Sequence, residues 1–339
     1  MLISFRKSSQ GLGTQVSRMA TINLIPMCRK CPQTVLVALF FLASCGNRAT
    51  PAPKPQPPPP FEFLNSWGEK GPGPGQLDDP VSFTSDSLGN IFFADPTAGF
   101  VHKFESKGTP LQSFEDQRVG HTAGIAVDAG GAIYLADAQR GSIHVFFPDG
   151  TFFQSWRIPI QRHYSGAMGF GIDEAGALYS PDPANSRILK FNNHGRLLKS
   201  WPAPQKALSP DERPTWVSVL PDNFVFVAYF TTGRIEKFSS DGSEITSWEA
   251  ATTPSSDSNP ITGFTVSSDF VFTMASSSTE IRVWTMDGQH QLDADLATTL
   301  GKMSAPQIAV TPHAELLVFD PSVPKVFRFR LHLANQEPK

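Results

Sequence analysis

Residues 143–156 read IHVFFPDGTFFQSW, two β-prone, aromatic-rich runs on either side of Pro-Asp-Gly. A short x-Gly turn between two such runs is the pattern of a β-hairpin. Glycine suits the turn because it takes positive φ without steric cost. Variants of the phrase return as VHKFESKGTPLQSF (101–114), ILKFNNHGRLLKSW (188–201) and IEKFSSDGSEITSW (235–248), with a weaker copy, IRVWTMDGQHQLDADL, at 281–296. A lone hairpin is marginal in water, so the repetition is itself the structural statement.

The segments before the hairpins repeat as well. PVSFTSDSLGNIFFADPTAGF (80–100) aligns without gaps with TAGIAVDAGGAIYLADAQRGS (122–142), pairing Asp86 with Asp128, Gly89 with Gly131 and Asp95 with Asp137. AMGFGIDEAGALYSPDPANSR (167–187) places Asp173, Gly176 and Asp182 likewise. PTWVSVLPDNFVFVAYFTTGR (214–234) keeps the hydrophobic pattern but carries Tyr229 at the last acidic position. ITGFTVSSDFVFTMASSSTEIR (261–282) and APQIAVTPHAELLVFDPSVPKV (305–326) complete six units. The aromatics that close the third run are Phe104, Phe146, Phe191, Phe238, Trp284 and Phe329, spaced 42, 45, 47, 46 and 45 residues apart. A period near 45 with four short strands per unit predicts an all-β, six-bladed β-propeller with four-stranded blades.

The residues resemble the NHL repeat over 61–333. WGEKGPGPGQLDDP (67–80) is similar to that family's Trp-Gly…Gly…Gly-Gln lead-in, and LYSPDPANSRILKF (178–191) to its core, with Asp182, Asn185 and Arg187 on pattern. Units four to six lack most of these markers. Unit six has only three runs before the tail 334–339, whereas FEFLNSW (61–67) has no unit of its own and matches the fourth-run endings PLQSF, FFQSW, LLKSW and EITSW. Phe61–Trp67 is therefore expected to supply the outer strand of blade six and so remove the open edge. Trp67, Phe114, Trp156, Trp201 and Trp248 are expected to fill the spaces between blades.

Length alone suggests two domains, a prior that repeat folds override. The 339 residues include 30 Pro and 26 Gly but only three Cys, all before residue 46, so the propeller holds no Cys-based metal site or disulfide. Arg29 and Lys30 precede an apolar run from Val35 to Ala43, a secretory signal too short to span a membrane. Its end, Leu42-Ala43-Ser44-Cys45, resembles the lipobox of bacterial lipoproteins. The resemblance implies removal of 1–44 and a diacylglycerol-type lipid on Cys45; an acidic residue after the Cys would favour inner-membrane retention, so Gly46 favours the outer membrane. Met19 and Met27 are alternative starts, since 1–26 exceed the usual length before such a signal. PAPKPQPPPP (51–60), in a linker of 45–60, is a semi-rigid polyproline II spacer that holds the domain off the lipid surface. The expectation is an exported, membrane-anchored lipoprotein of the bacterial cell envelope.

In a propeller, the loops before the innermost strands ring the central opening. The alignment places Asp79, His121, Gly166, Arg213, Asn259 and Ser304 there, with His163 and Tyr164 in the loop of blade three. Asp79, His121, His163, Tyr164, Arg213 and Asn259 are accordingly candidate ligand-binding residues. Relatives of the NHL fold include zinc-dependent peptide-amidating lyases, and calcium-dependent lactone hydrolases share the architecture. A catalytic zinc wants three protein ligands and an open position, and only His121 stands at an aligned rim position. Calcium wants clustered oxygen ligands, and Asp79 and Asn259 are too few. No catalytic residue or cofactor is assigned; Zn or Ca belongs to the alternative reading of a metal-dependent lyase or lactonase. His102 and His144 occupy equivalent third-run positions, which argues for packing. Asp86, Asp128 and Asp173 read as turn residues, and Asp95, Asp137, Asp182 and Asp320 as acceptors for loop amides or third-strand Arg. Without Arg6, Lys7, Arg18, Arg29 and Lys30 of the signal, 23 basic residues face 31 acidic ones, a net of −8. That balance lacks the counterion-release term of nucleic-acid binding. The leading expectation is a monomeric binding or scaffold module whose partner is a protein, peptide or envelope glycan.

Overall fold

A computed structural model describes residues 58–137, 139–158, 168–202, 213–230, 232–250 and 261–333. The lipobox and Cys45, most of the Pro-rich segment, and His163, Tyr164 and Asn259 lie outside these residues. The described chain forms six antiparallel sheets of four strands each. Blade one is Ser82–Ser85, Ile91–Asp95, Phe100–Phe104 and Pro110–Glu115; blade two is Thr122–Val127, Ile133–Asp137, Ser142–Phe146 and Phe152–Arg157. Blade three is Gly171–Ile172, Leu178–Asp182, Arg187–Phe191 and Leu197–Pro202; blade four is Pro214–Val219, Val225–Tyr229, Arg234–Phe238 and Glu244–Glu249. Blade five is Ile261–Val266, Phe270–Ala275, Glu280–Thr285 and His290–Asp295. Blade six takes Gln307–Val310, Glu315–Asp320 and Val323–Leu331 from the end of the chain and Phe61–Trp67 from its beginning. The first strand of each blade neighbours that of the next, and blade six returns to blade one, so the ring is closed.

Closure is as expected, with Phe61–Trp67 as the outer strand of blade six. Phe61 pairs with Leu331 and Trp67 with Val326, with a bulge between Phe63 and Asn65. The same bulge recurs at the start of the outer strands of blades one to five. It bends an exposed edge that would otherwise invite pairing with another chain.

The second strands IFFAD, IYLAD, LYSPD and VFVAY are buried at every position. Apart from the closing aspartates and Ser180, they read as apolar runs because neighbouring blades cover both faces. The core therefore lies between blades. Phe92, Ala94 and Val101 of blade one pack with Ile125, Leu135 and Phe146 of blade two, and Phe83 and Phe93 pack with Leu317 and Phe319 of blade six.

The outer-strand aromatics join this packing in a specific way. Each one lies against the turn glycine of the following blade: Trp67 on Gly108, Phe114 on Gly150, Trp156 on Gly195, Trp201 on Gly242 and Trp248 on Gly288. A Cβ at Gly195 would stand 2.2 Å from Cγ of Trp156, so glycine answers both the positive φ of the turn and the approach of the ring. Blade five breaks the rule on both sides at once. Its corresponding residue, opposite Ile281, is Ala294, and the next blade has no such turn because the chain ends meet there.

Candidate functional site

The first strands surround a channel of about 230 Å³. Thr84, Ala126, Gly171, Ser218, Thr265 and Ala309, one from each blade, are among its lining residues, and all are small. Bulk is excluded there by the closeness of the blades: a Cβ on Gly169 would fall 2.3 Å from the Trp216 ring. At the last position of the first strands, or next to it, come Ser85, Val127, Ile172, Val219, Val266 and Val310. These six line both the channel and a wider cavity of about 640 Å³ at the end where first strands turn into second strands. They form a collar of five β-branched aliphatic side chains and one serine.

Beyond the collar, the cavity wall is made by the turns themselves. Asp86, Asp128, Asp173, Glu174 and Asp269 line it with Leu220, Ser267, Phe270, Thr311, Leu331 and Leu333, and neither Lys nor Arg is among its described lining residues. The three in-phase aspartates build their turns as expected. Asp128 Oδ1 accepts the amides of Gly130 and Ala132, both at 2.9 Å, and Oδ2 accepts the Tyr134 hydroxyl at 3.1 Å. Asp173 accepts the amides of Ala175 and Ala177 and the Tyr179 hydroxyl. Burial first, and then the neighbouring aspartate, push both tyrosine hydroxyls well above the ordinary phenol range, so they stay protonated and donate to the carboxylates. Lys103 Nζ lies 3.8 Å from Asp86 and Lys190 Nζ 3.3 Å from Asp173. In blade two the equivalent of these lysines is Val145, paired opposite Tyr134, so Asp128 has no lysine.

The opposite rim holds the three described residues of the sequence-predicted set, Asp79, His121 and Arg213. Asp79 is exposed; its amide donates to buried Asp95, and its carboxylate accepts the Thr97 hydroxyl at 3.5 Å. His121 is half-buried at the end of the 3-10 turn Val119–His121, and Arg213 is exposed immediately before Pro214–Val219. No hydrogen bond or ion pair joins these three to one another. Ser304 donates its amide to Asp320. The buried aspartates that end the second strands thus hold the entering loops: Asp95 takes the amides of Asp78, Asp79 and Ala98, and Asp320 those of Ser304, Ala305 and Ser322. Asp182 instead binds Arg187 at 2.7 Å. Blade four has Tyr229 at this place, and its carboxylate has moved to the third strand: Glu236 is fully buried and bonded by Tyr229 and Arg234. His102 and His144 are buried. His102 Nδ1 meets the Ser113 hydroxyl at 2.8 Å, and His144 Nε2 lies 3.6 Å from Asp137. Burial pushes both imidazoles below their usual range, against the pull of Asp95 and Asp137.

Among the described residues no three His, Cys, Asp or Glu side chains converge to hold a metal ion. The cavity at the turn end was not anticipated from sequence. Its signal lay in the alignment, in the residue preceding each of Asp86, Asp128 and Asp173, but those positions spoke only of turns.

No protein-family model matches the chain, and no curated protein does either. Solved structures do resemble it. A streptogramin B lyase superposes with a TM-score of 0.58 at 15% identity, covering 80% of this chain and 98% of that one. The virginiamycin B lyase from Staphylococcus aureus gives 0.56 at 14%, covering 74% and 80%, and the Neurospora crassa Pan2 WD40 domain 0.52 at 12%, covering 83% and 99%. At such identities the likeness is one of fold.

Proposed function

We propose that this chain is an NHL-type propeller exported to the bacterial cell envelope, held there by a lipid on Cys45, and serving as a binding module for a protein or peptide at the turn-end mouth of its channel. The observation that carries the reading is the cavity of about 640 Å³ over a narrow channel. Its volume falls within the roughly 300–1,000 Å³ of ligand sites, and its wall mixes an aliphatic collar with a few polar groups. Propellers resembling this one include a WD40 domain as well as lyases, which fits a scaffold whose chemistry resides in its loops.

The test is capture of partners from envelope extracts by the full chain, compared with Glu174→Lys, in the cavity, and with Asp79→Ala and Arg213→Ala, on the other rim. Loss of a partner with Glu174→Lys alone supports the turn-end mouth; loss with the other two variants alone moves the site to the opposite rim. Stoichiometric zinc or calcium in the purified protein would favour the lyase or lactonase reading instead. Cys45→Ala is expected to abolish acylation and release the protein from membranes, and unchanged retention refutes the anchor.

A further inference from the structure

The cavity also constrains what it can hold. Resting on the proposed binding role, we infer that its ligand is a peptide segment with an aliphatic side chain at its tip and Lys or Arg beside it, the tip entering the collar and the cation lying among the turn carboxylates.

The collar sets the first half. Val127, Ile172, Val219, Val266 and Val310 stand where the channel opens into the cavity, and all but Val266 keep part of their surface exposed. Phe270, Leu220, Leu331 and Leu333 extend the apolar wall. An aliphatic group seated against this wall releases ordered water and is stabilised in proportion to the area covered. The channel beyond encloses only about 230 Å³, against about 640 Å³ for the cavity, so the tip alone is placed there.

The second half comes from a break in the repeat. In blades one and three the turn aspartate is matched within its own blade, Asp86 by Lys103 and Asp173 by Lys190, each lysine also lying over an aromatic ring of the second strand. Blade two keeps the aspartate and the aromatic, Tyr134, but has Val145 in place of the lysine. Among the described residues, the Asp128 carboxylate is met by two amides and a hydroxyl. Glu174, next to Asp173, is exposed on the cavity wall and, among the described residues, takes part in no ion pair. These two carboxylates come from adjacent blades, and the described lining residues add no Lys or Arg. A Lys or Arg side chain suits such a place because its stem covers apolar surface while its head stays among carboxylates and water. An anionic ligand would meet uncompensated like charge there.

Titration calorimetry of the full chain with acetyl-Lys-Leu-Leu-Lys-amide, acetyl-Glu-Leu-Leu-Glu-amide and acetyl-Lys-Gly-Gly-Lys-amide tests both halves. The first peptide is expected to bind at least about tenfold more tightly than either of the others, and less tightly as salt screens the charges. Glu174→Lys, an exposed change that leaves the turn hydrogen bonds intact, is expected to cost a further factor of about ten. Val219→Ser should weaken the Leu-containing peptide without altering its salt dependence. Equal binding of the glutamate peptide, or indifference to Glu174→Lys, overturns the inference. If neither lysine peptide binds while partner capture still depends on the cavity, the ligand class falls and the binding role stands. If capture depends on Asp79 or Arg213 instead, the binding reading of this mouth falls with it.

Discussion

The turn glycines and the rings upon them show how a residue choice becomes a blade contact. At Gly195, φ is 77°, and any Cβ meets the Trp156 ring, so the site forbids a side chain twice over. Gly195→Ala is expected to cost about 1–3 kcal/mol, the range of overpacking, with backbone strain added to it. Thermal melting checks it, and a change confined to a degree or two would contradict the contact. The buried histidines bring pH dependence. His102 and His144 are held neutral by burial, so their native pKa values lie below those of the unfolded chain, and the unfolded chain binds more protons between the two. Their contribution to stability is complete above the ordinary imidazole value of about 6.5 and is lost as pH falls from there through the depressed native values. Urea titrations from pH 7.5 to 5 should show this slope, and His102→Leu should flatten it. These positions were legible as packing residues because His102 and His144 recur in phase.

At the scale of the element, the blade is the unit that tolerates exchange. Blade four lost the aspartate that ends its second strand, yet a carboxylate remains because Glu236 rises from the third strand to meet Tyr229 and Arg234. Glu236 is fully buried, so Glu236→Leu would leave the Arg234 charge without it and is expected to cost about 3–5 kcal/mol. A chemical-denaturation midpoint unchanged by that substitution would show that the arrangement is dispensable. Tyr229 could be seen in the sequence as a departure from pattern. Its compensation could not, because Glu236 stands seven residues later and only strand pairing sets the two side by side. Loss of the aromatic at Ala294 is intelligible in the same way: the glycine turn it would cover is missing from the next blade.

For the whole molecule, ring closure governs stability. Phe61–Trp67 forms the last strand of blade six, and Trp67 packs on Phe104 of blade one with ring centroids 4.9 Å apart. Deleting residues 61–67 exposes one edge and empties one junction, and the melting temperature is expected to fall by roughly 10 °C or more. An unaltered melting curve would mean that the ring holds without its closing strand.

The hairpin phrase, its period and the unpaired segment at residue 61 were sufficient to predict six blades and the way they join. Periodicity and β-propensity are local properties, and a strand that needs neighbours on both faces declares it in its own residues. The turn aspartates and second-strand carboxylates were legible for the same reason, each acting within a few residues or within one blade. What the tertiary structure decided is where the open space lies. The cavity is bounded by six turns drawn from over two hundred residues of chain, and the channel below it is shaped by how closely adjoining blades approach, as at Gly169 and Trp216. Asp79, His121 and Arg213 share a phase in the sequence without any bond between them in the fold. Phase places a residue at one end of a blade, but only the packing of blades around an axis determines which residues share the wall of a cavity.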